Sequence, residues 1–292
     1  MKRRIIQQHQ SYTVTLPIKW IRDNNLEKND EVSFSQEDSK LILEPGESKK
    51  TIKTTEINLK TAKYSVYRSI IGGLYRDGYD EIKVNFENPK IITNLQKAVN
   101  SLYGLEVFEI NNDSCTIKTV FKEEAAELNS HILKMIHILK TMQDIIYNDL
   151  KENKLNSTEE LIQFRENILK QRDIIARTIV KQKLLDNQHF PYYNLAFNLW
   201  YISRYYSYLY KSFKKNINKK SLGLLKKTND YFAEAFSEKT REKLAEKYDN
   251  FSDLMKQANK LLEDKNTAVA SYCISILMMI SNCNSLLLQL NY

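Results

Sequence analysis

The sequence predicts a mainly helical chain, with a short β-rich unit first, a small α/β segment next and a six-helix bundle last. Apolar residues alternate along the first 45 residues, which is the period of strands. Strand and helix patterns follow each other as far as residue 121. From Lys122 onward the spacing is helical, and only 6 glycines and 4 prolines occur among 292 residues. These patterns divide the chain into residues 1–47, 48–121 and 122–292.

The first unit is predicted to contain two hairpins and one short helix. Val14 and Leu16 alternate with threonines along a strand that ends at Leu16, and Pro17 suits the first position of a helix. A turn at residues 27–30 leads into a second hairpin that begins near Val32. Units below ~40 residues usually need a partner, a metal or a disulfide to fold, and this unit has no cysteine. We therefore expect two copies of the unit to pair.

Positive charge is concentrated at the start of this unit. No acid precedes Asp23, and the stretch from Asp23 to Glu44 contains seven acids, both ends included. Five cations precede Asp23: Lys2, Arg3, Arg4, Lys19 and Arg22. A pair of units would present about ten positive charges, and cations that neutralise phosphates give salt-sensitive binding to DNA. Charge alone also allows a solvated strand end without a partner.

The segment from Gln8 to Pro17, followed by Trp20, Leu26, Asp30 and Val32, resembles the SpoVT/AbrB-type swapped-hairpin DNA-binding domain. In that family two chains interleave their hairpins into one small barrel, and basic residues on the exposed face contact DNA. The resemblance implies an interchain core of Val14, Leu16 and Val32. It also implies DNA contacts by the five cations: Lys2, Arg3, Arg4, Lys19 and Arg22.

Two positions depart from the pattern of this family. The family often has glycine in the first turn, where this chain has His9-Gln10-Ser11. It often has a second glycine before the aspartate, where this chain has Asn29. Asparagine tolerates a left-handed backbone, so we expect the second turn to form and the first to be less tight.

The middle segment is predicted to fold as a small sheet with both helices on one side. The expected elements are a strand at 51–59, a helix at 61–76, a strand at 81–86, a helix from Pro89 to Gly104, and a hairpin of 105–110 and 116–121. Gly72-Gly73 lies inside a helix pattern and lacks the following Gly-Lys of a phosphate loop.

The last segment is predicted to form long antiparallel helices joined by short turns, which is typical of a bundle. The expected helices are 122–150, 155–185, 191–217, 221–236, 238–263 and 265–291. Ser157 and Glu160 have the spacing of a capping box at the start of the second of them.

This bundle resembles the PhoU fold, in which three long helices are repeated twice. Archaeal phosphate uptake regulators of this type place the bundle after an AbrB-like unit and a small α/β segment, which is the order found here. Arg172-Asp173-Ile174 and the segment from Arg177 to Lys183 lie where those proteins carry a charged helix core. The resemblance implies a role in phosphate uptake, with a phosphate transporter or a signalling protein as a further partner.

The acidic pairs that hold cations in PhoU helices are replaced in this chain. Trp200 and Arg204 stand in the first such run, and Met278 and Asn282 stand in the second. None of these side chains is an anionic ligand, so we expect no metal cluster and no cofactor. Three other acidic pairs have helical spacing, and we expect them on solvated faces: Glu123 and Glu127, Asp230 and Glu234, and Asp249 and Asp253.

Enzymatic function has little support in the sequence. No Ser, Cys or His has an evident catalytic partner, and His131 and His137 are six residues apart, near opposite sides of a helix. The three cysteines lack metal-type spacing, which favours a reducing compartment. The N-terminus lacks a secretory core, and the most apolar run, Cys273–Ile280, is too short to span a membrane. We therefore expect a cytoplasmic protein.

A second basic segment covers residues 187–229, which contain eight cations and no acid. Its densest part forms a second basic patch: Lys211, Lys214, Lys215, Lys219 and Lys220. Seven tyrosines and one tryptophan lie in the same segment, from Tyr192 to Tyr210. Such a mixture could bind nucleic acid, an anionic membrane surface or an acidic partner. It could also be a bundle helix whose tyrosines bury their rings.

Together these features predict a homodimeric regulator that binds double-stranded DNA and is linked to phosphate uptake. The alternative is a metal-free helical adaptor that docks a transporter or kinase and uses the N-terminal unit only to dimerise.

Overall fold

The computed structural model describes residues 2–37, 39–46, 52–60, 63–182, 184, 189–213, 217–236, 244–263 and 267–290. The chain divides into two compact units, Met1–Lys53 and Thr54–Tyr292. The α/β segment and the helical bundle, which the sequence suggested as separate regions, lie together in the second unit. The predicted mainly helical character is confirmed.

The N-terminal unit consists of two antiparallel hairpins with a short helix between them. Its elements are β1 (Ile6–Gln8), β2 (Ser11–Thr13), α1 (Ile18–Asp23), β3 (Val32–Glu37) and β4 (Lys40–Pro45). In the first hairpin Gln8 lies opposite Ser11, and in the second Glu37 lies opposite Lys40.

Two local details of this unit differ from the sequence prediction. Strand β2 ends at Thr13 rather than at Leu16, because β1 offers it only three residues to pair with. Pro17 does not occupy the first helical position. It is the capping residue before α1, with extended φ and ψ of −65° and 130°, and its carbonyl accepts the N–H of Ile21 at 3.1 Å.

The second unit begins with a four-stranded sheet and two helices. Its elements are β5 (Thr54–Leu59), α2 (Tyr64–Arg76), β6 (Glu81–Phe86), α3 (Ile91–Asn100), β7 (Leu105–Ile110) and β8 (Ser114–Thr119). The strand order is β5-β6-β8-β7. Strands β5 and β6 are parallel, with α2 as the crossover, and the other pairs are antiparallel.

Both helices cover one face of this sheet, as the sequence predicted. Ile82 and Val84 of β6 lie opposite Ile117 and Cys115 of β8, and all four are buried. The same core contains buried residues from both helices: Tyr67, Ile71 and Tyr75 of α2, and Ile91, Leu95, Ala98 and Val99 of α3. The alternate positions of β6 are exposed or half-buried, so one face of the sheet is solvated.

The helical part begins with a short 3₁₀ turn at Ala125–Glu127. The helices that follow are α4 (Leu128–Glu152), α5 (Thr158–Lys181), α6 (Phe190–Ser212), α7 (Lys219–Ala235), α8 (Leu244–Glu263) and α9 (Thr267–Leu290). Helices α4, α5 and α6 pack on one another, and so do α7, α8 and α9. The two triplets meet through α6 against α9 and through α4 against α7, around one apolar core.

Helix α9 is more apolar than the sequence analysis indicated. Of the described helices, it alone is long and apolar enough to cross a membrane, over Ala268–Leu290, whereas the predicted apolar run was Cys273–Ile280. Its inward side packs on α6, α7 and α8. Its exposed residues are of both kinds: Ala268 and Met278 are apolar, and Ser271, Asn282, Ser285 and Gln289 are polar. The inward side of α9 belongs to the core of the bundle.

Arg177 connects the bundle to the α/β region from a fully buried position on α5. Its guanidinium donates to the carbonyls of Tyr75 at 3.0 Å and Tyr79 at 2.6 Å, just where α2 ends. It also pairs with Asp80 at 2.6 Å and with Glu123. Four acceptors therefore satisfy a charge that would be costly to bury alone.

Ser157 precedes α5 as predicted, but its side chain does not cap the helix. Its backbone N–H instead donates to the hydroxyl of Tyr210 on α6 at 3.0 Å. A contact between two helices therefore takes the place of the predicted capping box.

Candidate nucleic-acid interface

The five predicted DNA-contacting cations are all solvent-exposed in the N-terminal unit. Three of them, Lys2 to Arg4, lie on the extended segment just before β1, not within a strand. Lys19 and Arg22 lie three residues apart on α1 and therefore share one face of that helix. Exposed guanidinium and ammonium groups are free to meet phosphate oxygens.

The turn between β1 and β2 differs in sequence from that of the resembled family. His9 occupies a left-handed backbone conformation, with φ of 55°, where the resembled family often has glycine. The hydroxyl of Ser11 donates to the carbonyl of Gln8 at 2.9 Å and closes the turn. The first turn therefore forms without glycine, at the cost of a conformation that histidine adopts less readily.

Helix α1 holds Lys19 and Arg22 in place through polar contacts at its C-terminal end. The side-chain amide of Asn24 donates to the carbonyl of Trp20 at 2.8 Å. The following turn forms as predicted, because Asp30 accepts the N–H of Glu27 at 2.7 Å and Asn29 takes a positive φ of 77°.

The predicted dimer core is only partly covered in the single chain. Val14 is 44% exposed, while Leu16 and Val32 are half-buried. Phe34 and Leu41 were not among the predicted core residues. They lie on the same face of the second hairpin as Val32 and are 61% and 59% exposed. The signal was present, because Phe34 follows Val32 by two residues, which places both on one face of a strand.

Comparison with protein families gives an independent indication for this unit. The sequence of residues 5–51 matches the model of a family described as antidote–toxin recognition MazE, bacterial antitoxin. Residues 5–51 resemble the MazE antitoxins. This match supports the swapped-hairpin resemblance of the N-terminal unit and does not reach the helical part. No curated protein and no solved structure matches the chain.

Outside the MazE-like unit, the second basic patch lies where α6 ends and α7 begins. Lys211 is exposed in the last turn of α6, and Lys219 and Lys220 are exposed in the first turn of α7. Lys214 and Lys215 lie outside the described residues. Cations at a helix N-terminus interact unfavourably with the helix dipole, and Lys219 and Lys220 lie in this position on α7.

The aromatic residues of α6 mostly belong to the bundle core. Tyr206 is buried, and its hydroxyl donates to Asn229 at 2.7 Å. Tyr210 is also buried and donates to Asp149, and burial together with this hydrogen bond raises the pKa of Tyr210 to about 12. Tyr206 and Tyr210 are therefore packing residues and offer no face on which a base could stack.

Trp200 and Arg204, one of the two pairs predicted to stand in place of acidic residues, contact each other. The guanidinium of Arg204 lies 5.0 Å from the ring centre of Trp200 and donates to the hydroxyl of Tyr208 at 2.7 Å. Among the residues that the structure describes, no three His, Cys, Asp or Glu side chains meet as a metal site. His131 bonds Gln171 through Nδ1 at 2.7 Å.

One of the predicted solvated acids is buried. Glu123 is only 6% exposed and pairs with Arg177, whereas Glu127, four residues later, is exposed. The prediction of a solvated face was wrong for Glu123, because its partner lies on α5, 54 residues further along the chain. For Asp230, which pairs with Lys226 at 2.5 Å on the surface of α7, the prediction was right.

Proposed function

We propose that the chain is a homodimeric DNA-binding transcriptional regulator whose two N-terminal units pair into one cationic binding surface. The observation that carries this proposal is the exposure of the unit: none of its described side chains is buried in the single chain. Its large apolar side chains instead face solvent, including Ile6, Tyr12, Val14, Phe34 and Leu41. A second copy would cover them, which is the usual remedy for a unit of this size.

The charge of the same unit supports DNA as the partner. A dimer would present ten cations from residues 2–22, where the single chain has five and no acid. Such a surface would neutralise phosphates along the duplex and release counterions. Phosphate contacts position a protein on DNA, and groove shape then supplies part of the sequence preference.

The similarity to the MazE antitoxins points in the same direction. Domains of the swapped-hairpin type dimerise and bind DNA, and the matched residues, 5–51, include the two hairpins and α1. We propose binding and not catalysis, and a site of action in the cytoplasm, where the DNA is accessible.

Binding of the full-length chain to a duplex, measured across a series of salt concentrations, tests the proposal. Arg3→Ala combined with Arg4→Ala removes four cations from a dimer. The dependence of log affinity on log salt should become shallower by up to about 3 to 4, since each phosphate contact contributes ~0.9. Lys28→Ala with Lys40→Ala is the matched control, because both lysines are exposed in the same unit but lie outside the basic segment. Equal affinity of the wild type and the arginine variant would refute the proposed mechanism.

The finer proposal, a link to phosphate uptake, is supported only by the resemblance of the helical part to PhoU bundles. Transcript levels in cells with and without the gene test it. Phosphate transporter transcripts should change when the gene is deleted, and unchanged transcripts under both phosphate-rich and phosphate-poor conditions would contradict it.

The helical adaptor remains the second candidate, since it also needs the dimer. A chain that dimerises but does not bind DNA at low salt would favour this alternative. A search for a bound transporter or kinase would then be the next experiment.

A further inference from the structure

Three arginines converge on one buried aspartate between the α/β region and the bundle. Asp173 of α5 is fully buried. Its carboxylate accepts Arg76 Nη1 at 3.1 Å and Arg172 Nη2 at 2.5 Å, and it also pairs with Arg68 Nη2. The arginine side chains are 12%, 27% and 7% exposed for Arg68, Arg76 and Arg172, so the cluster is largely shielded from solvent and Arg76 is its most accessible member.

The sequence of α2 makes this convergence possible. Arg68, Gly72 and Arg76 are each four residues apart and therefore lie on one face of the helix. A Cβ atom on Gly72 would collide with Nη1 of Arg68 and would lie 3.3 Å from Nη1 of Arg76. The missing side chain of Gly72 thus gives both guanidinium groups room to reach the same point.

The charge of this cluster is not balanced by its own residues. Three guanidinium groups share the single carboxylate of Asp173. The neighbouring cluster on the same helix differs, since Arg177 and Lys181 pair with the two carboxylates of Asp80 and Glu123. Shielded cations in excess favour the binding of an anion, because an isolated charge is costly to remove from water.

The three guanidinium groups also have more hydrogen-bond donors than the carboxylate of Asp173 can accept. Each guanidinium carries five N–H groups, whereas a carboxylate has about four lone-pair positions. Arg68 Nε is shielded from solvent and has no hydrogen-bond partner among the residues that the structure describes. An unsatisfied buried donor is destabilising, so this N–H favours an additional acceptor.

The pKa of Arg172 reports the same environment. Burial lowers it most, Asp173 raises it, and the nearby Arg76 and Arg68 lower it further. An added anion would oppose the two lowering effects by supplying negative charge.

We propose that Arg68, Arg76 and Arg172 form a binding site for a small tetrahedral oxyanion, such as inorganic phosphate or sulfate, beside Asp173. Guanidinium groups match the oxygens of such anions in pairs, so three converging arginines suit a small oxyanion. Because α2 belongs to the α/β region and α5 to the bundle, the bound anion would hold these two parts together. This site is independent of DNA binding by the N-terminal unit.

The fluorescence of Trp200 can report anion binding directly, since its ring centre lies 4.2 Å from the guanidinium carbon of Arg172. The chain has two tryptophans, so Trp20→Phe in the full-length protein leaves Trp200 as the only one. Phosphate should change its fluorescence saturably and raise the unfolding temperature, and sulfate should act in the same way. Chloride at equal ionic strength should do neither. Identical responses to phosphate, sulfate and chloride would overturn the proposal.

Two variants test whether phosphate binds at the arginine cluster. Arg68→Gln and Arg76→Gln should each weaken phosphate binding by about tenfold or more, since each removes charge-assisted hydrogen bonds. Arg204→Gln is the matched control, because Arg204 stacks on the same Trp200 ring but pairs with Tyr208 and not with Asp173. It should bind phosphate as the wild type does. Far-UV circular dichroism checks the fold, and unchanged affinity in both folded arginine variants would refute the site.

Discussion

At the scale of single residues, substitution of Asp173 should lower the free energy of unfolding most. It is the carboxylate that Arg68, Arg76 and Arg172 share, so Asp173→Asn leaves three shielded cations without an anion. We expect the free energy of unfolding to fall by about 3–5 kcal/mol in urea denaturation without added phosphate. Asp230→Asn is the control, because its pair with Lys226 is half-exposed and worth about 0–1 kcal/mol. Equal losses in the two variants would contradict this assignment.

The buried thiols predict a loss of stability in alkaline solution. Burial raises the pKa of Cys115 to about 11 and that of Cys273 to about 12 from an ordinary value of 9.0, and it raises the pKa of Cys283 as well. The folded chain therefore keeps protons that the unfolded chain releases. The resulting stability is fully present below about pH 9 and is lost as the pH rises toward 12.

Urea denaturation at about pH 8 and about pH 9 measures this effect while most tyrosines of the unfolded chain are still protonated. Cys273→Ala with Cys283→Ala should reduce the difference in unfolding free energy between the two pH values, because two of the linked groups are gone. The comparison uses that difference, so a constant cost of the smaller side chains does not affect it. The same pH dependence in the variant and the wild type would argue against the thiols.

Individual side-chain roles were the hardest features to predict from the sequence. The cations and the apolar alternation of the N-terminal unit could be read locally, because spacing alone determines them. The partner of Glu123 is 54 residues away, and Arg68 and Asp173 are 105 residues apart. Only the packing of α2 against α5 brings such groups together, so the arginine cluster was missed although the Arg68, Gly72 and Arg76 spacing was visible.

At the scale of secondary-structure elements, two glycines should respond oppositely to alanine. Gly104 precedes β7 with φ of 60°, and a Cβ atom there would collide with the ring of Phe121. Gly104→Ala should lower the unfolding free energy by about 1–3 kcal/mol. Gly223 lies inside α7 with open space around it, so Gly223→Ala should raise the unfolding free energy by about 0.5–1 kcal/mol. Thermal unfolding of both variants tests the pair, and a shift in the same direction would be the contradictory result.

The bounds of the elements were predictable to different degrees. Helices α4 to α9 begin and end within six residues of the predicted ranges, because a long apolar period defines a helix well. The largest differences are at the starts of α4 and α8, which were predicted at 122 and 238. Strand β6 was found where its alternation placed it. Strand β2 is shorter than its own pattern suggests, because a strand extends only as far as its partner. The order β5-β6-β8-β7 could not be read from the sequence, since alternation does not specify neighbours.

At the scale of the whole molecule, pairing of the N-terminal units should be separable from folding of the helical unit. Phe34→Asp places a charge on the exposed apolar face of the second hairpin, so we expect the dimer to dissociate. Light scattering should show half the mass, and circular dichroism should show unchanged helix content. Phe108→Asp is the control, because Phe108 is 68% exposed on β7 of the other unit. A Phe34→Asp chain that stays dimeric would count against pairing through this face.

The order of the structural regions could be predicted from the sequence, but the packing of the α/β segment against the bundle could not. The order of a β-rich unit, an α/β segment and a helical part follows from changes in apolar period along the chain. The sequence suggested three regions, whereas the structure has two compact units. The difference arises because α2 packs on α5 through charged side chains, which apolar patterns do not reveal.

The position of Arg177 has a practical consequence for anyone who shortens the gene. A cut between residues 121 and 122 would deprive the end of α2 of the guanidinium that the carbonyls of Tyr75 and Tyr79 contact. It would equally leave Arg177 without Asp80, so that Glu123 would be its remaining carboxylate partner among the residues that the structure describes. Each fragment would thus lose partners of its own polar groups. Expression of the intact stretch from Thr54 onward is therefore the sounder choice.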